Sequence, residues 1–247
     1  MKARPLTRTC RSNIPPPTVG SRKQTSTTRG GFARYELLVV LGCLTLLAGL
    51  SLPALAGRAG PRSERLVCVN NLRQIGMALQ MWAGDNGNTY VDHVPVLRGG
   101  TQGRALTYEH YRAISNELGS VRLLVCPSDD RTATNSFQAL ARNESVSYFL
   151  GTDALPELFN TFLGGDRNIN GGSAGSCGLA GAIEITRFPP NSWTSMNWGA
   201  TNIHTGSGNI LESDGHVEQV SPNGLGSLAS RTLDSGQDNH GLFPGSP

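Results

Sequence analysis

The spacing of apolar residues changes character three times along the chain. Residues 1–31 carry no apolar period; they are basic, proline-bearing and turn-rich, and read as a disordered leader with no face to bury. From Leu37 to Ala56 the pattern becomes continuous, twenty residues without a charge. As a helix such a run spans about 30 Å, the thickness of a bilayer's hydrocarbon core. Pro53, near its end, predicts a kink, because the ring removes a backbone donor. Gly57, Gly60 and Pro61 then loosen the chain. From Arg62 to about Ala83 the residues Cys68, Leu72, Ile75, Leu79 and Trp82 recur at spacings of three and four. That is a helix with one narrow apolar face, and Arg65, Arg73, Gln74 and Gln80 lie off it. Asp85-Asn86-Gly87-Asn88 ends it in turn-forming residues.

Beyond residue 88 the apolar runs are short. Leu123–Val125 reads as a buried strand stopped by Pro127, with Ser128 or Asp129 starting a turn. Residues 146–150 read as a second strand, and residues 163–169 (LGGDRNI) as a loop. Asn209–Leu211 and His216–Val220 flank Asp214-Gly215, a hairpin signal in which both turn residues need positive φ. Short helices are expected near Tyr108–Leu118 and Leu225–Leu233. The fold class that follows is α+β, a helix docked on an antiparallel sheet with irregular loops. The 31 glycines reinforce the expectation of many turns.

Charge changes the picture only at the N-terminus. Lys2, Arg4, Arg8, Arg11, Arg22, Lys23 and Arg29 are the only ionised residues among the first 31. This asymmetry places the N-terminus in the cytoplasm and residues after Ala56 across the membrane. Removing these seven from 21 basic residues leaves 14 against 18 acidic ones, about −4. The chain's overall charge of +3 is therefore a property of the leader and offers no nucleic-acid-binding face.

Candidate chemistry is sparse. Gly171-Gly172-Ser173-Ala174-Gly175 has the form G-x-S-x-G, but a nucleophile elbow needs a strand before it, and Asp166-Arg167-Asn168 leaves no room. It reads as a flexible loop. Asn143-Glu144-Ser145 matches the glycosylation triplet, which is common by chance. His204, Asp214 and His216 are of metal-ligating type, but their spacing is not diagnostic. The alternative is a histidine hydrogen-bonded to the hairpin, fixing its register.

Gly31-Phe32 with Glu36 four residues on, directly before the apolar run, resembles the cleavage and methylation site of type IV pilins and type II secretion pseudopilins. The segment from Cys68 to Tyr90, Cys126-Pro127-Ser128-Asp129, the GDRN of 165–168, and His204 followed after nine intervening residues by Asp214-Gly215 resemble, in order, the prepilin-processing-associated H-x9-DG proteins. The resemblance implies a leader (1–31) removed by a prepilin peptidase between Gly31 and Phe32. It implies a transmembrane helix over 32–56, with Pro53 at the pilin kink, and the outer half of a long pilin-like helix over 57–84. An outer α+β domain over 85–222 and a short helix with a tail over 223–247 would follow. Glu36 would meet the new amine of a neighbour's Phe32 as helices bundle. The implied protein is a structural, non-enzymatic subunit of the inner membrane with no cofactor or metal, its partners the peptidase, other pilin-like subunits and the membrane. An anchored binding module and an anchored metal-dependent enzyme using His204 and Asp214 are the alternatives. Of the outer cysteines, Cys68, Cys126 and Cys177, the resemblance favours a Cys68–Cys126 disulfide that staples the helix to the sheet. Cys43 stays a free thiol in the membrane helix.

Overall fold

The computed structural model describes residues 34–55, 60–170, 173–174, 185–188, 197–199, 203–233 and 239–245. It divides into two compact units, residues 1–56 and 57–247. In the first, helix α1 spans Arg34–Leu55, with Glu36 in its first turn and Pro53 inside its bounds. Its described large side chains, from Leu37 through Leu47, are all exposed. Over the described residues no helix is long and apolar enough to cross a membrane.

The second unit is mixed α+β with an antiparallel sheet. Helix α2 spans Pro61–Asp85, with Pro61 at its start and Glu64 in its first turn, where a fixed φ and a negative charge both suit a helix N-terminus. It ends at Asn86, after which Gly87 and Asn88 take positive φ. The predicted stripe of Cys68, Leu72, Ile75, Leu79 and Trp82 is buried throughout. Two short helices, α3 (Thr107–Ala113) and α4 (Ser115–Leu118), occupy the region expected to hold one.

Among the described residues the strands after α4 are β1 (Tyr148–Gly151), β2 (Phe162–Asp166), β3 (Ile169–Asn170), β4 (Ser173–Ala174), β5 (Ile185–Phe188), β6 (Asn197–Trp198), β7 (Gly208–Glu212), β8 (Val217–Val220) and, beyond one more helix, β9 (Asn239–Leu242). Helix α5 (Leu225–Leu233) lies where the sequence put it. Seven strands form one sheet in the order β4-β5-β9-β1-β2-β7-β8, and β3 pairs with β6 separately. All described pairs are antiparallel.

The central strands are buried on both faces. Tyr148, Leu150, Leu163, Leu211 and Val217 join α2's apolar stripe in one core. Phe149, Phe162, Ile210 and Val220 point the other way, into a second core with Leu225, Leu228 and Ala229 of α5. Successive strand residues face opposite sides, so each core takes alternate positions. Gly76 lets α2 approach β7 closely: a Cβ there would stand 2.9 Å from Leu211 Cδ1.

Several local expectations are corrected. Leu123–Val125 is not a strand: residues Val121–Leu124 form a 3-10 turn, with the Ser120 hydroxyl accepting from Arg122 N. Val121 and Leu124, three apart, are both buried, which is the period of that helix type. The GDRN segment is not a loop at its start, since Gly165 and Asp166 complete β2. Ser173-Ala174, within the G-x-S-x-G, form β4 and pair with β5. The hairpin turn differs too. Gly215 has φ 87° but Asp214 is not among the positive-φ residues. Gly215 N donates to Glu212 O and Glu212 N to His216 O. The loop is thus a three-residue one closed by a left-handed glycine, not a two-residue turn with two left-handed residues.

Candidate functional site

Three sequence motifs meet at the first turns of α2. Cys126 is bonded to Cys68, 58 residues away, with a Cα–Cα distance of 5.2 Å. The bond staples α2 to the turn after the 3-10 segment rather than to a strand, since Cys126 belongs to no strand. Asp129 N closes that turn on Cys126 O at 2.9 Å. Ser128 Oγ donates to Glu64 Oε2 of α2 at 3.1 Å. Asp129 receives a two-pronged pair from Arg167, Nε to Oδ2 at 2.9 Å and Nη2 to Oδ1 at 2.8 Å. Burial pushes the Asp129 carboxyl up, but Arg167's hydrogen bonds and charge, with the charge of Arg131, hold it below the usual carboxylate range.

The GDRN segment acquires a physical reason here. Gly165 lets β2 pack closely, since a Cβ would meet Asn209 O and Phe149 Cε1 at 2.7 Å each. Asp166 is fully buried and accepts through Oδ2 from Asn209 N at 2.7 Å and Asn209 Nδ2 at 2.9 Å. Its Oδ1 has no hydrogen-bond partner. Arg167 turns to Asp129. Asn168 donates to Ile203 O at 3.0 Å and Ser207 O at 3.1 Å, clamping the loop that carries His204.

That loop is unusual in its backbone. His204, Thr205 and Gly206 have φ of 50°, 47° and 74°, a left-handed run that a β-branched residue rarely enters. Ser207 Oγ ties it with a bond to His204 O at 2.7 Å. The result directs His204 inward: its side chain is 1% exposed, with Nε2 3.5 Å from Asp166 Oδ2 and 3.5 Å from Cys126 Sγ. Burial, helped by the Arg65 charge, drives the His204 imidazole down to about 4. Burial drives the Asp166 carboxyl up to about 7, against the Asn209 bonds and the Arg65 charge. Arg65 itself donates through Nη2 to Gly208 O at 3.0 Å and Val220 O at 3.3 Å. A groove of about 740 Å³ opens over this cluster, with Arg62, Glu64, Asp129, His204 and Gln219 among its walls. The sulfur that His204 meets is already bonded, so the two do not form a nucleophile and its base.

The H-x9-DG residues do not come together. Asp214 sits in the hairpin turn, where its Oδ1 accepts from His216 N at 2.7 Å, and His204 lies at the other end of β7. Five strand residues separate the two ends by about 17 Å. A metal held jointly by His204 and Asp214 is therefore not assembled, and neither is the expected bond from His204 to the hairpin turn. Instead each end of β7 is fastened to α2: Arg65 at the start, and Gln80 Nε2 to Ser213 O at 3.1 Å beside Gly215. Tyr90 OH adds a second bond to Ser213 O at 3.0 Å.

Of the remaining predicted residues, Gly31, Phe32 and Cys177 lie outside the described residues. Glu36 is exposed in α1, and Cys43 is a free, exposed thiol. Asn143 of the glycosylation triplet is buried and accepts from Tyr108 N at 3.1 Å, which suits a structural role. Arg65, Asp166 and Asn168 were not foreseen as a group; the GDRN motif and an arginine off the stripe of an amphipathic helix were the available signals. No family model, curated protein or solved structure matches the chain.

Proposed function

We propose that the chain is a pseudopilin-like structural subunit, held in the cytoplasmic membrane by one span with its N-terminus inside and the 57–247 unit outside. A prepilin peptidase would cut between Gly31 and Phe32, and the helix that follows would remain in the mature protein. The observation that carries this reading is α1: a 22-residue helix with Glu36 in its first turn and large apolar side chains exposed along its described length. Eight leucines and valines facing outward on one helix are unfavourable in water at roughly 1.5–3 kcal/mol each, so a lipid or a bundle of like helices is the environment they fit. The uncharged run in the sequence continues to Ala56, long enough for a span. A helix docked by one stripe on an antiparallel sheet, as α2 is, supports the pilin-like part of the reading.

In assembly, Glu36 would neutralise the amine of a neighbouring subunit's Phe32 as helices slide past one another. A carboxylate in a bilayer is costly, about 2.5–3.5 kcal/mol at its centre, so such a pairing would drive association. Sequencing the mature N-terminus tests the proposal. N-methylated Phe32 is expected, whereas a start near Gly57 would mean a released domain and overturn it. A membrane-anchored binding module is the second reading, favoured by the groove over His204. Crosslinking between α1 helices of neighbouring copies, lost in Glu36→Ala, separates assembly from a solitary anchor.

A further inference from the structure

Cys68 Sγ, Cys126 Sγ and a ring nitrogen of His204 lie within 4.8 Å of one another, and both cysteines are fully buried. Such a trio, two sulfurs and an imidazole, is a common zinc donor set. Zinc with sulfur at about 2.3 Å and nitrogen at about 2.0–2.1 Å sets those donors about 3.5 Å apart at the tetrahedral angle. His204 Nε2 stands 3.5 Å from Cys126 Sγ, which already fits. The edge between nitrogen and carboxylate oxygen in the same tetrahedron is about 3.4 Å. Asp166 Oδ2 is 3.5 Å from the same Nε2. Independently of the sulfurs, Asp166 brings a fully buried carboxylate whose Oδ1 has no hydrogen-bond partner, while Oδ2 is held by Asn209. A buried carboxylate left half-satisfied costs free energy unless a cation or donor completes it.

We propose that, when the Cys68–Cys126 bond is reduced, the two thiolates and His204 Nε2 bind a zinc ion, with Asp166 at the fourth position. The joint between α2 and the CPSD turn then has two closed forms, a disulfide and a zinc site. Reduction by a dithiol transfers two electrons and two protons, giving two Cys thiols and the reductant's own disulfide. Zinc binding then displaces the two thiol protons. Reoxidation by a disulfide of another molecule returns the S–S bond and releases the ion. Two thiolates and one carboxylate leave the zinc site one negative charge, and the Arg65 guanidinium beside Asp166 suits that charge. The buried position also fits a structural site, which needs no open coordination position for substrate.

The test uses the full chain in mild detergent with Cys10, Cys43 and Cys177 replaced by serine, reduced anaerobically with a phosphine and titrated with Co²⁺ and then Zn²⁺. The expected result is one equivalent of Co²⁺ with thiolate charge-transfer bands and a tetrahedral visible spectrum, displaced by Zn²⁺, with near-UV circular dichroism like that of the oxidised chain. The oxidised chain should give no such bands. His204→Gln keeps the disulfide, so its fold is checked in the oxidised form; after reduction it should lose the tetrahedral spectrum. Asp166→Asn should weaken binding by about 10–100-fold. Absence of the bands, bands that persist in His204→Gln, or metal bound without native near-UV circular dichroism would each overturn the proposal.

Discussion

Replacing Arg167 by Met removes both guanidinium hydrogen bonds that Asp129 receives, without adding a polar group. The Asp129 side chain is 1% exposed and that of Arg167 10% exposed, so the pair is not screened by solvent. Losing one partner of a buried pair costs about 3–5 kcal/mol, chiefly because the remaining charge stays desolvated. Arg131, at 4.0 Å, is too distant to take over both bonds. The pH dependence gives an independent signature. In the folded wild type Asp129 titrates below its ordinary value, so its contribution is fully present above the unfolded pKa of about 3.9 and is lost as pH falls through the folded value. In Arg167→Met burial dominates instead and Asp129 holds its proton in the fold, so the variant loses less than the wild type on acidification. Guanidinium unfolding of the full chain, followed by tryptophan fluorescence at pH 7 and pH 4, should give a deficit of the stated size at pH 7 that shrinks at pH 4. Adding Asp129→Asn should recover part of it. A deficit below about 1 kcal/mol, as for a surface pair, or one unchanged between the two pH values, would refute the reasoning.

Gly165→Ala drives a methyl into Asn209 O and Phe149 Cε1, and calorimetry should show a lower Tm and a loss of about 1–3 kcal/mol. Gly215→Ala must hold φ at 87° and should cost about 1–2 kcal/mol in the same assay. His110 is buried against the Thr101 hydroxyl at 2.6 Å, and burial lowers its pKa. Its contribution is therefore complete above about pH 6.5 and falls as pH drops, a slope that His110→Gln should flatten in denaturation curves. Arg65→Met removes the side-chain bonds to the carbonyls of Gly208 and Val220 and strips Asp166 of its nearby cation. Combined with Asp166→Asn it should be non-additive by about 0.5–3 kcal/mol in a double-mutant cycle.

Helix α2 was legible because its apolar period is sustained over many residues. The stripe from Cys68 to Trp82 is the buried face of α2, and Asp85-Asn86-Gly87-Asn88 is where it stops. The sheet was legible at the hairpin and at β1, where residues 146–150 read as a strand and Tyr148–Gly151 form one. Strand β2 was missed because it is buried on both sides, so Phe162-Leu163-Gly164-Gly165-Asp166 shows no polar alternation to mark it. Pairing partners such as β9, which lies between β5 and β1 in the sheet but last in the sequence, are set by non-local packing that no window of residues contains. For the site, the residue types were visible and their grouping was not. His204 was associated with Asp214 by sequence distance, whereas its neighbours are Cys126 and Asp166, 78 and 38 positions away.

The interval between His204 and Asp214 follows from the geometry of β7 on α2. The strand runs along the helix from Arg65, which holds the Gly208 carbonyl, past Gly76, which admits Leu211, to Gln80, which holds the Ser213 carbonyl. Fifteen helical residues rise about 22 Å, and the five steps from Gly208 to Ser213 cover about 17 Å, which the two long polar side chains extend to meet. Inserting one residue into the strand would exchange the faces of Ile210 and Leu211, sending each to the other core. Inserting two would keep the faces but displace His204 by about 6.6 Å, out of reach of both Cys126 and Asp166. Parity and length thus fix the spacing together. Neither constraint requires the histidine and the aspartate to touch, so the interval between them in this chain follows from a strand fastened at both ends and needs no contact between the two side chains.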